Sequence, residues 1–216
     1  GLYGSIGQNF RLNTSLITGV ESPDVRRLDM SQLGPILTGE AGPLQGGPEV
    51  TAMLVQSSNP AVVAPESGKV RTGMMRNDLF ICVHEQFFTD TAKLADVVLP
   101  ATTFLEHDDI YTSYGHPYLQ FGPKIIEPLD EARSNHELLS ALAERLGANH
   151  RAFEMSTWDV IDDVLQTNGF GTAGSLKEKR FIEVRPSFEE SHFLNGFPHS
   201  DGKFRFHYNW RRISRM

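Results

Sequence analysis

The sequence predicts an α/β chain built on a parallel sheet with helices on both of its faces. Three short apolar runs carry that reading: VTAMLVQ at 50–56, LFICV at 79–83 and DVVLP at 96–100. Each is of strand length, and helix-like segments lie between them. Strands apolar on both sides and separated by helices are the pattern of βαβ units. The expected strands are residues 51–56, 79–83 and 96–99, joined by right-handed crossovers.

In chain order, residues 1–48 come first, rich in Gly, Pro, Ser and Asn. GEAGPLQGGPE at 39–49 reads as a mobile loop or linker, because Gly and Pro interrupt helix and strand alike. After the first strand, SSNP is a turn. ESGKVRTGMMRND carries apolar residues at Val70, Met74 and Met75 and predicts a short helix, weakened by Gly73. TDTAKLA, between the second and third strands, predicts a second short helix capped by Thr89 or Asp90. YTSYGHPYLQFGPKIIEP at 111–128 has aromatics and no helical period, and reads as extended or looping over the surface. SNHELLSALAERLG is the clearest helix. Ser134 and Glu137 form a capping box, Leu138, Leu139, Leu142 and Leu146 make an apolar stripe, and Gly147 ends it. STWDVIDDVLQTNG repeats the pattern with Val160, Ile161, Val164 and Leu165 on one face and Asn168-Gly169 as terminator. SDGKFRFHYNW then reads as a turn at Asp201-Gly202 and an alternating strand through Phe204, Phe206 and Tyr208. The expected organisation is an irregular segment at 1–48, a sheet domain at 49–147, and a helical extension with a strand at 148–216.

Composition excludes several classes of function. The net charge is −7 with no run of Lys or Arg, which argues against a nucleic-acid-binding face. A single cysteine, Cys82, lies inside an apolar run, so no intrachain disulfide and no cysteine-built zinc or iron–sulfur site is available. It reads as a small core residue. No apolar stretch reaches the ~18 residues of a membrane span. The first residues lack the pattern of a signal peptide, and the reading favours a cytoplasmic over a periplasmic setting.

The chemistry gathers where the strands end. The first run exits at Ser57, Ser58 and Asn59, the second at His84, Glu85 and Gln86, and the third at Thr102, Thr103, Glu106 and His107. Ligands of open parallel sheets bind at the carboxyl edge of the strands, so parallel strands would bring these exits together. Asn and Ser suit phosphate and ribose, and a carboxylate suits paired N–H or hydroxyl donors. Thr89–Thr91 would offer backbone N–H groups to an anion. Asn59, Glu85 and His107 are expected close together at that edge. A metal site is the rival, drawn from His84, Glu85, Glu106, His107, Asp108, Asp109 and His116, although their spacing matches no known zinc motif. The sequence lacks GxSxG and GxGxxG, which removes the hydrolase elbow and the dinucleotide fingerprint.

SSNPA at 57–61, HEQFFTDTAKLADVVLPATTFLEHDD at 84–109 and EARSNHELLSALAERLG at 131–147 together resemble the molybdopterin oxidoreductases of the dimethyl sulfoxide reductase family. The likeness is strongest over 50–147. It implies the third domain of such enzymes, a three-layer αβα Rossmann-like unit, here with irregular N-terminal and C-terminal extensions. It further implies that this unit holds the guanosine end of one of two molybdopterin guanine dinucleotides around molybdenum. Carried over by position, the cofactor contacts are Asn59, His84, Glu85, His107 and Asn135, with Glu85 facing guanine or ribose hydroxyls. Family members often carry serine-aspartate where this chain has His84-Glu85. The family's iron–sulfur cysteines and molybdenum ligand have no counterpart here, and the sequence has no initiator Met. The resemblance therefore implies a fragment of a longer enzyme, with the remaining domains as its partners. Alone it is expected to show no turnover and only weak affinity for guanine nucleotides, with no cofactor bound. E-x-x-D at Glu106–Asp109 leans toward the S- and N-oxide reductases. The competing reading is a non-catalytic Rossmann-like interaction or metal-binding module that shares only the fold.

Overall fold

The computed structural model describes residues 26–112, 116–184, 187–197 and 199–204. A 3₁₀ turn at Met30–Gln32 leads into α1, Leu33–Leu37. Then come β1 Ala52–Gln56, α2 Pro60–Val63, α3 Ser67–Met74, β2 Phe80–Glu85, a 3₁₀ turn at Ala92–Leu94, and β3 Val97–Pro100. These strands pair in the order β1-β2-β3, parallel throughout, with Val55 opposite Val83 and His84 opposite Leu99. The predicted parallel sheet is present, with each strand within two residues of its expected bounds.

One face of the sheet is packed tightly. Ile81 and Val83 of β2 are fully buried with Val55, Leu37 of α1, and Val70 and Met74 of α3. Fully burying an aliphatic side chain of this kind is worth about 1.5–3 kcal/mol, so this cluster dominates the stability of the unit. Gly73 does more than weaken a helix. A Cβ there would overlap Leu37 Cβ and sit 3.0 Å from the Leu37 carbonyl carbon, so the glycine is what lets α3 lie against α1. Residues just before the first strand are therefore structured where a linker was expected. Leu37 and Leu44 are buried, and Arg76 donates 2.8 Å to the Leu37 carbonyl. On the opposite face Leu138 and Leu142 of α4, Asn135–Leu146, line with Leu54, Cys82 and Leu99 an open cavity of about 310 Å³, and Leu54 and Phe80 stay exposed.

Beyond β3 the chain builds a second, smaller layer. β4 Asp109–Tyr111, β5 Tyr118–Gly122 and β6 Phe181–Glu183 form an antiparallel sheet in that order. The stretch read as extended or looping over the surface thus supplies β5 and the last residue of β4, and Leu119 within it is fully buried rather than at the surface. The α5 helix, Thr157–Thr167, and α6, Ala173–Lys179, pack on this sheet through Ile161, Leu165 and Leu176. A four-residue α7, Phe188–Ser191, follows. Both long helices begin as their sequences require. Ser134–Glu137 and Ser156–Asp159 each form a complete capping box, and Gly147 at φ 68° ends α4. Gly202 takes φ 65°, in keeping with the expected turn, whereas the strand expected from Phe204 through Tyr208 runs outside the described residues. No helix among the described residues is long and apolar enough to cross a membrane.

Candidate functional site

The carboxyl ends of β1, β2 and β3 open into a cavity of about 640 Å³ between the parallel sheet and the smaller layer. Ser57, Glu85, Gln86 and Thr102 line it from the strand exits, and Arg133, Ser134 and Asn135 from the start of α4. Asp109 and Tyr111 of β4 and Val160, Ile161 and Val164 of α5 close its floor. Backbone pairing sets the geometry. Residue 133 runs alongside the end of β3: Thr102 N–H donates to the Arg133 carbonyl at 3.1 Å, and Arg133 N–H to the Pro100 carbonyl at 3.1 Å. This bridge delivers the first turn of α4 to the sheet edge.

Of the residues expected there, Glu85, His107 and Asn135 line this one cavity. Glu85 is half-buried, and its Oε1 accepts the Gln86 N–H at 2.8 Å. His107 Nδ1 lies 2.8 Å from Thr102 Oγ1, and its Nε2 lies 3.9 Å from Asp109 Oδ2. Asn135 sits at the first turn of α4, with its Oδ1 3.3 Å from Gln56 Nε2.

His84 and Asn59 do not line the cavity. His84 is buried to 1 % exposure. Its Nε2 donates 3.0 Å to the Arg133 carbonyl, and its Nδ1 lies 3.1 Å from Asn135 Oδ1 and 3.4 Å from Gln56 Nε2. The imidazole therefore locks β1, β2 and the start of α4 together. Asn59 turns inward as well. Its Oδ1 accepts from Thr91 N–H at 3.1 Å and Thr91 Oγ1 at 2.7 Å, while Thr91 Oγ1 accepts from Ala61 N–H at 3.0 Å. Two of the three N–H groups expected to meet an anion are already bonded, Thr89 N–H to the Phe87 carbonyl at 2.9 Å and Thr91 N–H to Asn59. Ala92 N–H is taken by Thr89 Oγ1, and Lys93 N–H by the Thr89 carbonyl. The expected Thr89 cap is thus present but inward-facing.

Glu106 also serves the fold. Its Oε2 accepts Thr103 N–H at 2.7 Å and Thr103 Oγ1 at 2.8 Å, and its Oε1 accepts Leu129 N–H at 2.8 Å. These donors hold its carboxyl below the usual range. With Glu106 and His84 turned to these tasks, Glu85, His107, Asp108 and Asp109 of the rival metal reading still line the cavity, but not in a metal-binding arrangement. Among the described residues no three His, Cys, Asp or Glu side chains are placed to hold a metal ion.

The cavity's own electrostatics are mixed. Glu85, Asp108 and Asp109 line it, against one Arg or Lys among the described lining residues, Arg133. Burial pushes the Asp109 carboxyl up from its usual value and the Tyr111 phenol likewise. Arg133 escaped the sequence reading, although it directly precedes the capping-box serine and so was bound to sit at a helix start. Tyr111 escaped because its strand is only three residues long.

Comparison with known proteins adds to this geometry. The family model for molybdopterin oxidoreductase matches residues 25–145. A probable oxidoreductase of Bacillus subtilis, YoaE, is 41 % identical over 150 residues, covering 67 % of this chain and 21 % of that protein. The dimethyl sulfoxide/trimethylamine N-oxide reductase of Rhodobacter capsulatus is 39 % identical over 102 residues, 46 % of this chain and 12 % of the reductase. The chain therefore spans about a fifth of the length of the first of these relatives and less of the second. Among solved structures, acetylene hydratase from Pelobacter acetylenicus superposes with a TM-score of 0.62 at 22 % identity, over 80 % of this chain and 23 % of the hydratase. That likeness is one of fold.

Proposed function

This chain belongs to the molybdopterin oxidoreductase family, and from that premise we propose that its 640 Å³ cavity receives the guanosine end of one molybdopterin guanine dinucleotide. The observation that carries this reading is convergence. Three strand exits and one helix start meet at a cavity in the size range of small-molecule sites, and several of their polar groups keep unused capacity. Glu85 Oε2 accepts no hydrogen bond from the described residues, and Arg133, whose charge bears on Glu137, has no carboxylate oxygen of theirs within 4 Å. The donor set fits a nucleotide. Arg133 and the first turn of α4 suit phosphate, because N–H groups at a helix start favour anions. Glu85 suits paired ribose hydroxyls or the N–H donors of guanine, with His107 and Asn135 flanking it. Asn59 and His84 act behind this shell, fixing the loops that carry it.

The molybdenum centre of the bound cofactor would supply the redox chemistry. What this chain contributes is binding, orientation and enclosure of the nucleotide end. The longer enzyme then performs a two-electron redox reaction or oxygen-atom transfer. Reduction of S- or N-oxides is the favoured branch, supported by E-x-x-D at Glu106–Asp109 and by relatives named as dimethyl sulfoxide/trimethylamine N-oxide reductases.

The test is Glu85→Ala, measured as dinucleotide and molybdenum content per protein in the longer enzyme. Loss of an acceptor facing buried donors costs on the order of 1–3 kcal/mol, so occupancy should fall at limiting cofactor. Unchanged occupancy would make Glu85 a turn residue and defeat the assignment.

A further inference from the structure

Two polar atoms of the cavity lining stand across a gap from each other. His107 Nε2 lies 3.9 Å from Asp109 Oδ2, beyond the roughly 2.7–3.2 Å of an N–H···O bond. Neither atom has a hydrogen-bond partner among the described residues, and neither is closed off from solvent, as Tyr111 Oη is. Their side chains keep 24 % and 46 % of their exposure. The other polar atom of each group is already in use. His107 Nδ1 is 2.8 Å from Thr102 Oγ1, and Asp109 Oδ1 accepts Ile110 N–H at 2.7 Å. Thr102 is buried, with its N–H on the Arg133 carbonyl and its own carbonyl accepting from Gln86 Nε2, so the imidazole is anchored at its far nitrogen.

The position of the ring proton is set by these partners. A carboxylate only accepts, whereas a threonine hydroxyl donates or accepts. A neutral ring protonated on Nδ1 would turn its Nε2 lone pair toward the Asp109 carboxylate. The proton therefore sits on Nε2, and Nδ1 accepts from Thr102 Oγ1–H; a charged ring carries a proton on Nε2 as well. The gap has a donor on one side and an acceptor on the other.

We propose that His107 and Asp109 form a hydroxyl subsite of the cavity, which takes a ribose hydroxyl of the nucleotide: the hydroxyl oxygen accepts from His107 Nε2–H, and its O–H donates to Asp109 Oδ2. An oxygen about 2.8 Å from each atom spans their 3.9 Å separation. A carbonyl could accept here but not donate, and an ammonium could donate but not accept. A phosphate oxygen would bring a second negative charge against Asp109. A hydroxyl does both. This assignment rests on the reading of the cavity as a guanosine site, and it leaves Glu85 to the N–H donors of the base.

The experiment titrates wild type, Asp109→Asn and His107→Ala with GMP and with 2′,3′-dideoxy-GMP. Wild type should prefer GMP by at least roughly tenfold, since the ribose hydroxyls bring two hydrogen bonds, one of them to a charged group. In Asp109→Asn the side-chain oxygen can keep the Ile110 N–H while an amide donor replaces Oδ2, so the preference should fall severalfold. His107→Ala removes the donor and should lower the preference too. A preference unchanged in either variant would show that the hydroxyls are read elsewhere and would overturn the proposal. Equal binding of the two nucleotides by wild type would leave only water in the gap, overturning the subsite while the cavity reading stands. Wild type that binds neither nucleotide at millimolar concentration would overturn both.

Discussion

Asn59 follows the first strand in the N-P turn, where the family resemblance implied a cofactor contact, and the structure gives it a different task with a measurable consequence. Its Oδ1 accepts two hydrogen bonds from Thr91, a residue with no solvent exposure. Thr91 Oγ1 in turn accepts from Ala61 N–H, so one amide joins the turn after β1 to the segment before β3. In Asn59→Ala both acceptor contacts disappear and Thr91 N–H is left buried without a partner. Each lost hydrogen bond is worth about 0.5–1.5 kcal/mol, and an orphaned buried donor adds about 1–3 kcal/mol. A loss of about 2–6 kcal/mol follows. Asn59→Asp keeps an acceptor at the same place and should recover most of it. The assay is urea denaturation of the three proteins, comparing midpoints at constant slope. An alanine variant within about 0.5 kcal/mol of wild type, the usual range for surface substitutions, would refute the reasoning.

Two further outcomes follow from packing and charge. Gly73→Ala should destabilise by about 1–3 kcal/mol through overpacking against Leu37, more than the roughly 1 kcal/mol by which Ala exceeds Gly in a helix interior. A urea midpoint above that of wild type would show that α1 can move aside. Glu106 has a folded pKa lowered from 4.5 by the Thr103 and Leu129 donors. Its contribution is therefore fully present above about pH 4.5 and is lost as pH falls through the lower folded value. The stability difference between wild type and Glu106→Gln should shrink over that window, and a difference that stays constant with acidification would contradict the assignment.

The parallel sheet was legible in the sequence because its signal is local and redundant. Three apolar runs of strand length, each set off by helix-like residues, leave few alternatives. The capped helix at 135–146 was legible for the same reason, since Ser134, Glu137 and Gly147 mark both its ends. The smaller sheet was not. β4 has three residues, and β5 pairs with β6 about sixty residues away, with Leu119 opposite Ile182. Its strands make sense only once packed on α5 and α6. Gly73 was misleading on its own: as a propensity it argues against a helix, whereas in space it allows α1 and α3 to approach. At the candidate site, residue type pointed to the sheet edge where the cavity opens but could not tell which polar side chains turn inward.

That division explains why strand ends here carry so much acid and imidazole. Three parallel strands end in loops that must be held in place without further sheet pairing, and their backbone N–H groups need acceptors. Glu106 supplies two carboxylate oxygens to Thr103 and Leu129, Asn59 supplies one oxygen twice to Thr91, and His84 reaches the Arg133 carbonyl. Each of these polar groups fixes a loop that presents another polar group to the cavity. His84 precedes Glu85, Glu106 precedes His107, and the Arg133 carbonyl bound by His84 belongs to the residue whose guanidinium lines the rim. In an extended backbone, neighbouring side chains point to opposite sides. His84-Glu85, at the end of β2, fits that rule, with His84 bound into the fold and Glu85 facing the cavity, whereas Glu106-His107 makes the same division from within a turn closed by Glu106 N–H on the Thr103 carbonyl. Replacing the buried member of such a pair should therefore disturb ligand binding by misplacing its neighbour, with loss of stability accompanying the effect. Replacing the cavity-facing member should weaken binding while the fold keeps its stability. The two classes of substitution separate on that comparison, made between His84→Ala and Glu85→Ala in the same protein.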